Sequence, residues 1–382
     1  MATRTQRTKN QAGSDVVTIN GANVVCSAGD AWTPRSGLTN TKAWVSICWS
    51  PELELFCAVA YENTTNPVMT SPDGVTWTPR TVGSNGGWYS VCWAPEIRKF
   101  CLVALASGGG DNAATSSDGV NWTTSPAVAN SWRVVCWSPE LRLFCAVANG
   151  GSNRVMTSPD GVTWTPQTAA SVSTWLSVCW SPELGLFCAV AYLASTSTAV
   201  MTSPDGVNWT NRSVTQANGW YSVCWSPELR MFCAVSIDGA SRVMTSVNGT
   251  DWVARTAAAA NEWIGVCWSP ELRLFCATGS SGVSRVMTSP NGVNWTGRTA
   301  AEANQWINAC WSPKLRIFCA VANTGTNRCM TSGVDKLQIT SAANGAVAKT
   351  FTASQGPTGA NAAVQGWLRI NVAGVDRFIP YW

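Results

Sequence analysis

WRVVCWSPELRLFCAVANGGSNRVMTSPDGVTWTPQT, from Trp132 to Thr168, is the stretch whose reading decides the fold. Its opening, Trp132–Ser138, is aromatic and β-branched and reads as a strand. Ser138-Pro139-Glu140-Leu141 follows, with the proline suited to the second position of a type I turn. Leu143–Ala148 reads as a second strand, and a Gly/Ser/Asn loop leads to a third at Arg154–Ser158. Pro159-Asp160-Gly161 is a tight turn, and the segment around Trp164 is a fourth strand.

The same pattern recurs along the chain. Cys-Trp begins at Cys48, Cys92, Cys136, Cys179, Cys224, Cys267 and Cys310, and a second cysteine follows nine residues later at Cys57, Cys101, Cys145, Cys188, Cys233, Cys276 and Cys319. Four strands every 43–45 residues is the arithmetic of a propeller blade. Apolar residues fall on both faces of these strands, as expected where each blade packs on two neighbours. No segment sustains a helical period. The seventh unit stops at Ser332 with no fourth strand, and the missing piece stands at the other end of the chain, where Ala31-Trp32-Thr33-Pro34-Arg35 matches Thr76-Trp77-Thr78-Pro79-Arg80. The expected fold is therefore all-β, a seven-bladed β-propeller whose last blade is completed by an N-terminal strand, so that no sheet edge is left unpaired at the join. We expect an arm over residues 1–22, the propeller over 23–332 with 23–40 completing blade seven, and a C-terminal β appendage over 333–382. That tail alternates like a hairpin with a turn near Gly374.

Composition narrows the function. Charged residues are 12% of the 382, about half the usual share of ~25%. A net charge of +4 is too weak a bias to imply nucleic acid or a membrane surface. Histidine is absent, which removes imidazole bases, Ser-His and Cys-His pairs and histidine metal sites. No apolar run approaches the ~20 residues of a membrane helix, and the first fifteen residues lack the apolar core of a secretory signal. No cofactor, no nucleic acid and no membrane insertion are expected.

Two resemblances follow from particular residues. TSPDGVTW at Thr70–Trp77, TSSDGVNW at Thr115–Trp122, TSPDGVTW at Thr157–Trp164 and TSPDGVNW at Thr202–Trp209 resemble Asp-box hairpins, with Asn248 and Asn291 in the acid position of the fifth and sixth units. The resemblance implies a structural role for Asp73, Asp118, Asp160, Asp205, Asn248 and Asn291: each bonds backbone groups of its own turn, over which a tryptophan packs. The ending GWLRINVAGVDRFIPYW, residues 366–382, resembles the C-terminal segment of tailed-bacteriophage virion proteins, and the WSPELGLFCAV repeat is similar to propeller repeats in phage structural proteins. This implies a virion protein, assembled in the host cytoplasm and then extracellular. Its partners would be other capsid or tail proteins and further copies of itself, and Trp367, Tyr381 and Trp382 are anchor candidates.

The cysteines admit three readings. If the turn centres on Glu140 and Leu141, Cys136 faces Cys145 across the hairpin, with Cβ atoms ~4.5–5.5 Å apart. Disulfides inside each blade, disulfides between blades, and reduced thiols packed as small apolar residues remain open. Zinc is not expected, since nine-residue spacing in one hairpin brings only two ligands together. Cys26 and Cys329, the two outside the repeat, fall on either side of the join. A bridge there would close a loop of roughly 300 residues; bonds to neighbouring chains or two free thiols are the other outcomes.

The Asp-box resemblance also raises sialidase-like hydrolysis, which needs an arginine cluster, a tyrosine nucleophile and acids on inner strands of different blades. The inner strands here carry none of these beyond Arg133 and Glu262, and tyrosine occurs only at Tyr61, Tyr89, Tyr192, Tyr221 and Tyr381. Glu52, Glu96, Glu140, Glu183, Glu228 and Glu271 lie one per blade at the same turn, spaced around a rim rather than paired. Arg98, Arg142, Arg230, Arg273 and Arg316 follow that turn, and Arg80, Arg212, Arg255 and Arg298 follow the fourth strand; a solvated rim with local Glu–Arg pairing is expected. The sequence thus points to a non-enzymatic structural component of a tailed-phage virion, a capsid decoration or fibre-type protein. The alternative is a receptor-binding propeller lectin for host-surface glycans.

Overall fold

The computed structural model describes residues 28–333 apart from 39–41, 63–65, 84–86, 106–110 and 193, together with short backbone strands nearer the two ends. The described residues contain no α-helix and a single 3-10 turn at Pro95–Ile97. Six units each form a four-stranded antiparallel sheet; the third has Trp132–Ser138 innermost, then Leu143–Ala148, Val155–Ser158 and Thr165–Gln167. The register is the one the turn dictates: Ser138 opposes Leu143 and Cys136 opposes Cys145. Arg142 ends that turn at φ 49°, with its N–H on the Pro139 carbonyl, and Arg98, Arg230, Arg273 and Arg316 repeat the left-handed conformation.

Blade seven is assembled from both parts of the chain. Trp306–Ser312, Ile317–Ala322 and Cys329–Gly333 are joined by Thr33–Arg35, with Thr331 opposite Thr33 and Cys329 opposite Arg35. Trp44, Ile47 and Trp49 of blade one share a buried cluster with Ile317, Cys319, Val321 and Cys329 of blade seven, so the sheets close into a ring. Every junction is filled in this way. Cys101, Val103 and Ala113 of blade two, for instance, pack with Trp132, Val135, Trp137 and Phe144 of blade three. Seven tryptophans that open the innermost strands, from Trp44 to Trp306, are wholly buried. Each blade also stacks a Trp–Phe–Trp row; in blade three the Trp137–Phe144 centroids are 4.5 Å apart and Phe144–Trp164 6.2 Å. Such pairs add ~0.5–1.5 kcal/mol each beyond the area they bury.

The hairpin turns bond as their residues dictate. Asp160 Oδ1 accepts the N–H groups of Val162 and Thr163, Ser158 Oγ accepts from Gly161 at 2.8 Å, and the Trp164 indole donates to the Gly161 carbonyl at 3.1 Å. Gly161 sits at φ 77°, and a Cβ there would stand 2.6 Å from Thr115 of the preceding blade. Asn248 and Asn291 bond in the same way with an amide oxygen. The seventh turn is split. Gly29, at φ 92°, donates to Ser332 Oγ at 2.7 Å across 303 residues, and Ala28 occupies the acid position.

Of the three readings of the cysteines, the structure has the reduced one: Cys48, Cys57, Cys92, Cys101, Cys136, Cys145, Cys179, Cys188, Cys224, Cys233, Cys267, Cys276, Cys310, Cys319 and Cys329 are all free thiols. Direct opposition leaves Cβ atoms at a spacing that only the closest strand pairs bring into bridging range. Here the thiols pack instead among the apolar groups between blades. Burial, with neighbouring thiols adding to it, pushes the Cys48 and Cys92 thiols well up, so they stay protonated. The question of a Cys26–Cys329 bridge lies outside the described residues, because Cys26 does; Cys329 has its sulfur 3.6 Å from that of Cys319.

Backbone segments Gly366–Val372 and Val375–Tyr381 pair as an antiparallel hairpin in the tail. Trp367 and Tyr381 belong to those segments, and Trp382 lies outside the described residues.

Candidate functional site

Two ends of the ring differ in chemistry. One end carries the first-to-second strand turns and the Asp-Gly or Asn-Gly turns. The other carries the variable loops and the beginnings of the innermost strands. The four tyrosines of the ring lie at this second end: Tyr89 and Tyr221 near the start of an innermost strand, Tyr61 and Tyr192 at the close of a second strand.

One position recurs in every innermost strand, the residue after its opening tryptophan. In blades two, three and five it is Tyr89, Arg133 and Tyr221. The Arg133 guanidinium lies 3.9 Å from the Tyr89 ring centroid and 6.0 Å from that of Tyr221, and it donates to the Tyr221 hydroxyl at 3.0 Å. Blades three and five are not neighbours, so this contact crosses the axial opening. Tyr61 stands edge-on to Tyr89 at 5.6 Å, and 45% of its surface is exposed. A cation over an aromatic face is worth ~0.5–2 kcal/mol, more where water is excluded. Arg133 Nε is closed from solvent with no hydrogen-bond partner. Burial pushes the Tyr89 phenol well above its ordinary range, an effect that Arg133 only partly offsets, so Tyr89 is a neutral hydroxyl and a poor nucleophile.

The acids lie elsewhere and are engaged. Glu52, Glu96, Glu140, Glu183, Glu228 and Glu271 accept the indole N–H of Trp93, Trp137, Trp180, Trp225, Trp268 and Trp311 in the following blade, at 2.5–2.6 Å. They latch one blade to the next, in place of the Glu–Arg pairing expected from the sequence. Glu262 accepts from Ser280 Oγ at 2.6 Å. Arg80, Arg212, Arg255 and Arg298 donate through Nε to Thr70, Thr202, Thr245 and Thr288 of their own blades. Arg154, Arg242, Arg285 and Arg328 reach carbonyls at the entrance to the following blade, Ser173, Asn261, Asn304 and Lys42. This arginine staple was missed in the sequence, although the arginine stands at the same place before Val-Met or Cys-Met in four units.

Asp73, Asp118, Asp160 and Asp205 sit at the turn end, remote from the Arg133 cluster. At Asp118 and Asp205 burial is the largest single influence and raises the carboxyl. Backbone N–H donors and the Asn121 or Asn208 side chain outweigh it and bring each to about 2.

No protein-family model and no curated protein matches the chain. Solved structures do. A structure described as YCF48 bound to D1 peptide aligns over 81% of this chain and 96% of its own, with TM-score 0.58 and 15% identity. A streptogramin B lyase structure covers 80% and 96%, with TM-score 0.62 and 8% identity. The GH74 enzyme of Niastella koreensis covers 76% of this chain and 53% of its own, with TM-score 0.60 and 13% identity. At such identities the likeness establishes the architecture alone: the described residues form a seven-bladed β-propeller, an all-β fold.

Proposed function

We propose that this propeller is a non-enzymatic structural component of a tailed-phage virion, a capsid decoration or fibre-type protein. The observation that carries the non-catalytic reading is the fate of the acids. The one carboxylate that recurs at a fixed place in six blades is consumed at each by an indole of the next blade. Its turns read as Asp-box hairpins with their bonds turned inward on the fold. The tail's resemblance to virion proteins supports the setting, and a closed ring followed in the chain by a C-terminal hairpin suits attachment to a particle and to further copies of the chain. Immunogold labelling of purified tailed-phage particles with antibody against residues 44–332 is expected to decorate the capsid or tail. Particles free of the polypeptide by mass spectrometry would end this reading.

The tyrosine-bearing end favours a second reading, a lectin for host-surface glycans. Tyr61, Tyr89, Tyr192 and Tyr221 gather at one end, with Arg133 among three of them. A glycan array would show binding abolished by Arg133→Ala if that reading holds.

A further inference from the structure

Six of the seven blade junctions hold a carboxylate that the seventh lacks. The chain has Ser312-Pro313-Lys314 where blades one and three to six have Ser-Pro-Glu and blade two has Ala-Pro-Glu. Lys314 therefore occupies the latch position facing Trp49 of blade one. Trp49 packs against Phe56 with centroids 4.6 Å apart, as Trp93 does against Phe100 and Trp180 against Phe187. Its indole is therefore held like the other six. Yet Trp49 Nε1 has no hydrogen-bond partner and is closed from solvent, in a residue only 8% exposed. Lys314 turns outward to pair with Glu54, both side chains being about half exposed (45% and 53%).

We propose that the junction between blades seven and one binds a carboxylate supplied from outside the ring. One oxygen takes the place of the missing glutamate and accepts the Trp49 N–H, and the other faces the Lys314 ammonium. A buried donor without an acceptor is costly to leave so, and a carboxylate that meets both a donor and a cation forms the stronger, charge-assisted kind of bond. The exposed pair with Glu54 holds Lys314 only weakly, so the ammonium can turn to the incoming anion. Glu54 competes for the same ammonium and sets the affinity low. The source is an acidic side chain or a chain terminus of a partner. The site stands at the turn end of the ring, opposite the tyrosines, and does not depend on the virion reading.

The test uses the full chain with nitrogen-15-labelled tryptophan, the Trp49 indole resonance being assigned by its loss in Trp49→Phe. N-acetylglutamate α-amide presents a side-chain carboxylate and N-acetylglycine a terminal one, each titrated against matched sodium chloride. The expected result is a saturable downfield shift of the Trp49 signal alone, with half-saturation on the order of 10 mM; the tighter probe names the source. Glu54→Gln should tighten binding several-fold. Lys314→Glu should move the Trp49 signal among the six latched indoles and abolish the response. The unmoved six serve as the control for folding. No saturable shift with either probe, or an undiminished shift in Lys314→Glu, overturns the proposal.

Discussion

Blade three and blade seven have nearly the same sequence and differ in how they are held. Blade three is continuous: its turn is closed by Ser158, Asp160 and Gly161, and its Glu140 latches Trp180 of blade four. Blade seven borrows its outer strand, closes its turn with Ser332 and Gly29, lacks the turn acid, and faces Trp49 with a lysine. The indole N–H of Trp32, the counterpart of Trp164, has no hydrogen-bond partner. What blade seven adds is an ion pair between Arg298 and Asp30 at 2.8 Å, and Glu302 bonded to Asn304 and to Asn327. Those contacts lie on its blade-six side, so the ring has one junction of a different kind, that between blades seven and one, which lacks the indole–carboxylate bond repeated at the other six.

The largest effect should come from removing the borrowed strand. Deleting residues 1–40 exposes the edge of Cys329–Gly333 and empties the place of Trp32. Loss of a buried tryptophan alone costs ~3–5 kcal/mol, so the truncated chain should self-associate or melt far below the intact one. Monomeric behaviour in size-exclusion chromatography with unchanged melting would remove the distinction between the two blades. The latch itself ranks next. Glu140→Ala leaves a buried indole unpaired and should cost ~1–3 kcal/mol in urea unfolding. Lys314→Ala removes only an exposed ion pair and should stay within ~0.5 kcal/mol. Equal losses would show that the latch is not what separates the junctions.

A third substitution sharpens the thiol assignment. Five ordinary blades carry valine where blade seven has Cys329, at Val68, Val155, Val200, Val243 and Val286. Cys329→Val should therefore change stability by less than ~1.5 kcal/mol. A loss of ~2–4 kcal/mol would mean that Cys329 is bridged.

The smallest effect is in acid. The Asp118 and Asp205 carboxyls, near 2 in the fold against ~3.9 in the unfolded chain, favour the folded state when ionised. Their contribution is complete above pH ~4 and fades as the pH falls toward 2. Both turns are largely exposed, so each adds less than ~1 kcal/mol. Replacing both by Asn, as Asn248 and Asn291 already are, should lower the urea midpoint slightly at pH 7 and leave it equal to the wild type's near pH 2. A gap that persists there would assign the difference to something other than charge.

The repeat, the hairpin register and the closing strand were legible because each is a local pattern. Cys136 opposes Cys145 once the turn is placed, and Trp32 announces itself by its Thr-Pro-Arg. What was not legible lies between blades. Glu140 and Trp180 are 40 residues apart and each has a plausible local role, so only the ring's curvature shows that they meet. Arg133 stood out as an exception in its strand, yet its tyrosines come from blades two and five, and no periodicity announces a contact across the axis. The split turn was hidden because Gly29 and Ser332 complete a motif that neither end contains alone.

One bond made twice measures what closing the ring demands of the folding chain. Arg80 Nε donates to Thr70 Oγ1 across 10 residues, while its counterpart Arg35 donates to Thr331 across 296. Bringing the ends of a flexible segment together costs about (3/2)RT ln n, so the second contact carries about 3 kcal/mol more chain entropy than the first if it forms from the open chain. Once blades one to six have stacked, that separation is no longer flexible and the difference largely disappears. Kinetically, then, the blades should assemble in chain order with residues 28–38 docking last, and the slowest refolding phase should report Trp32 burial.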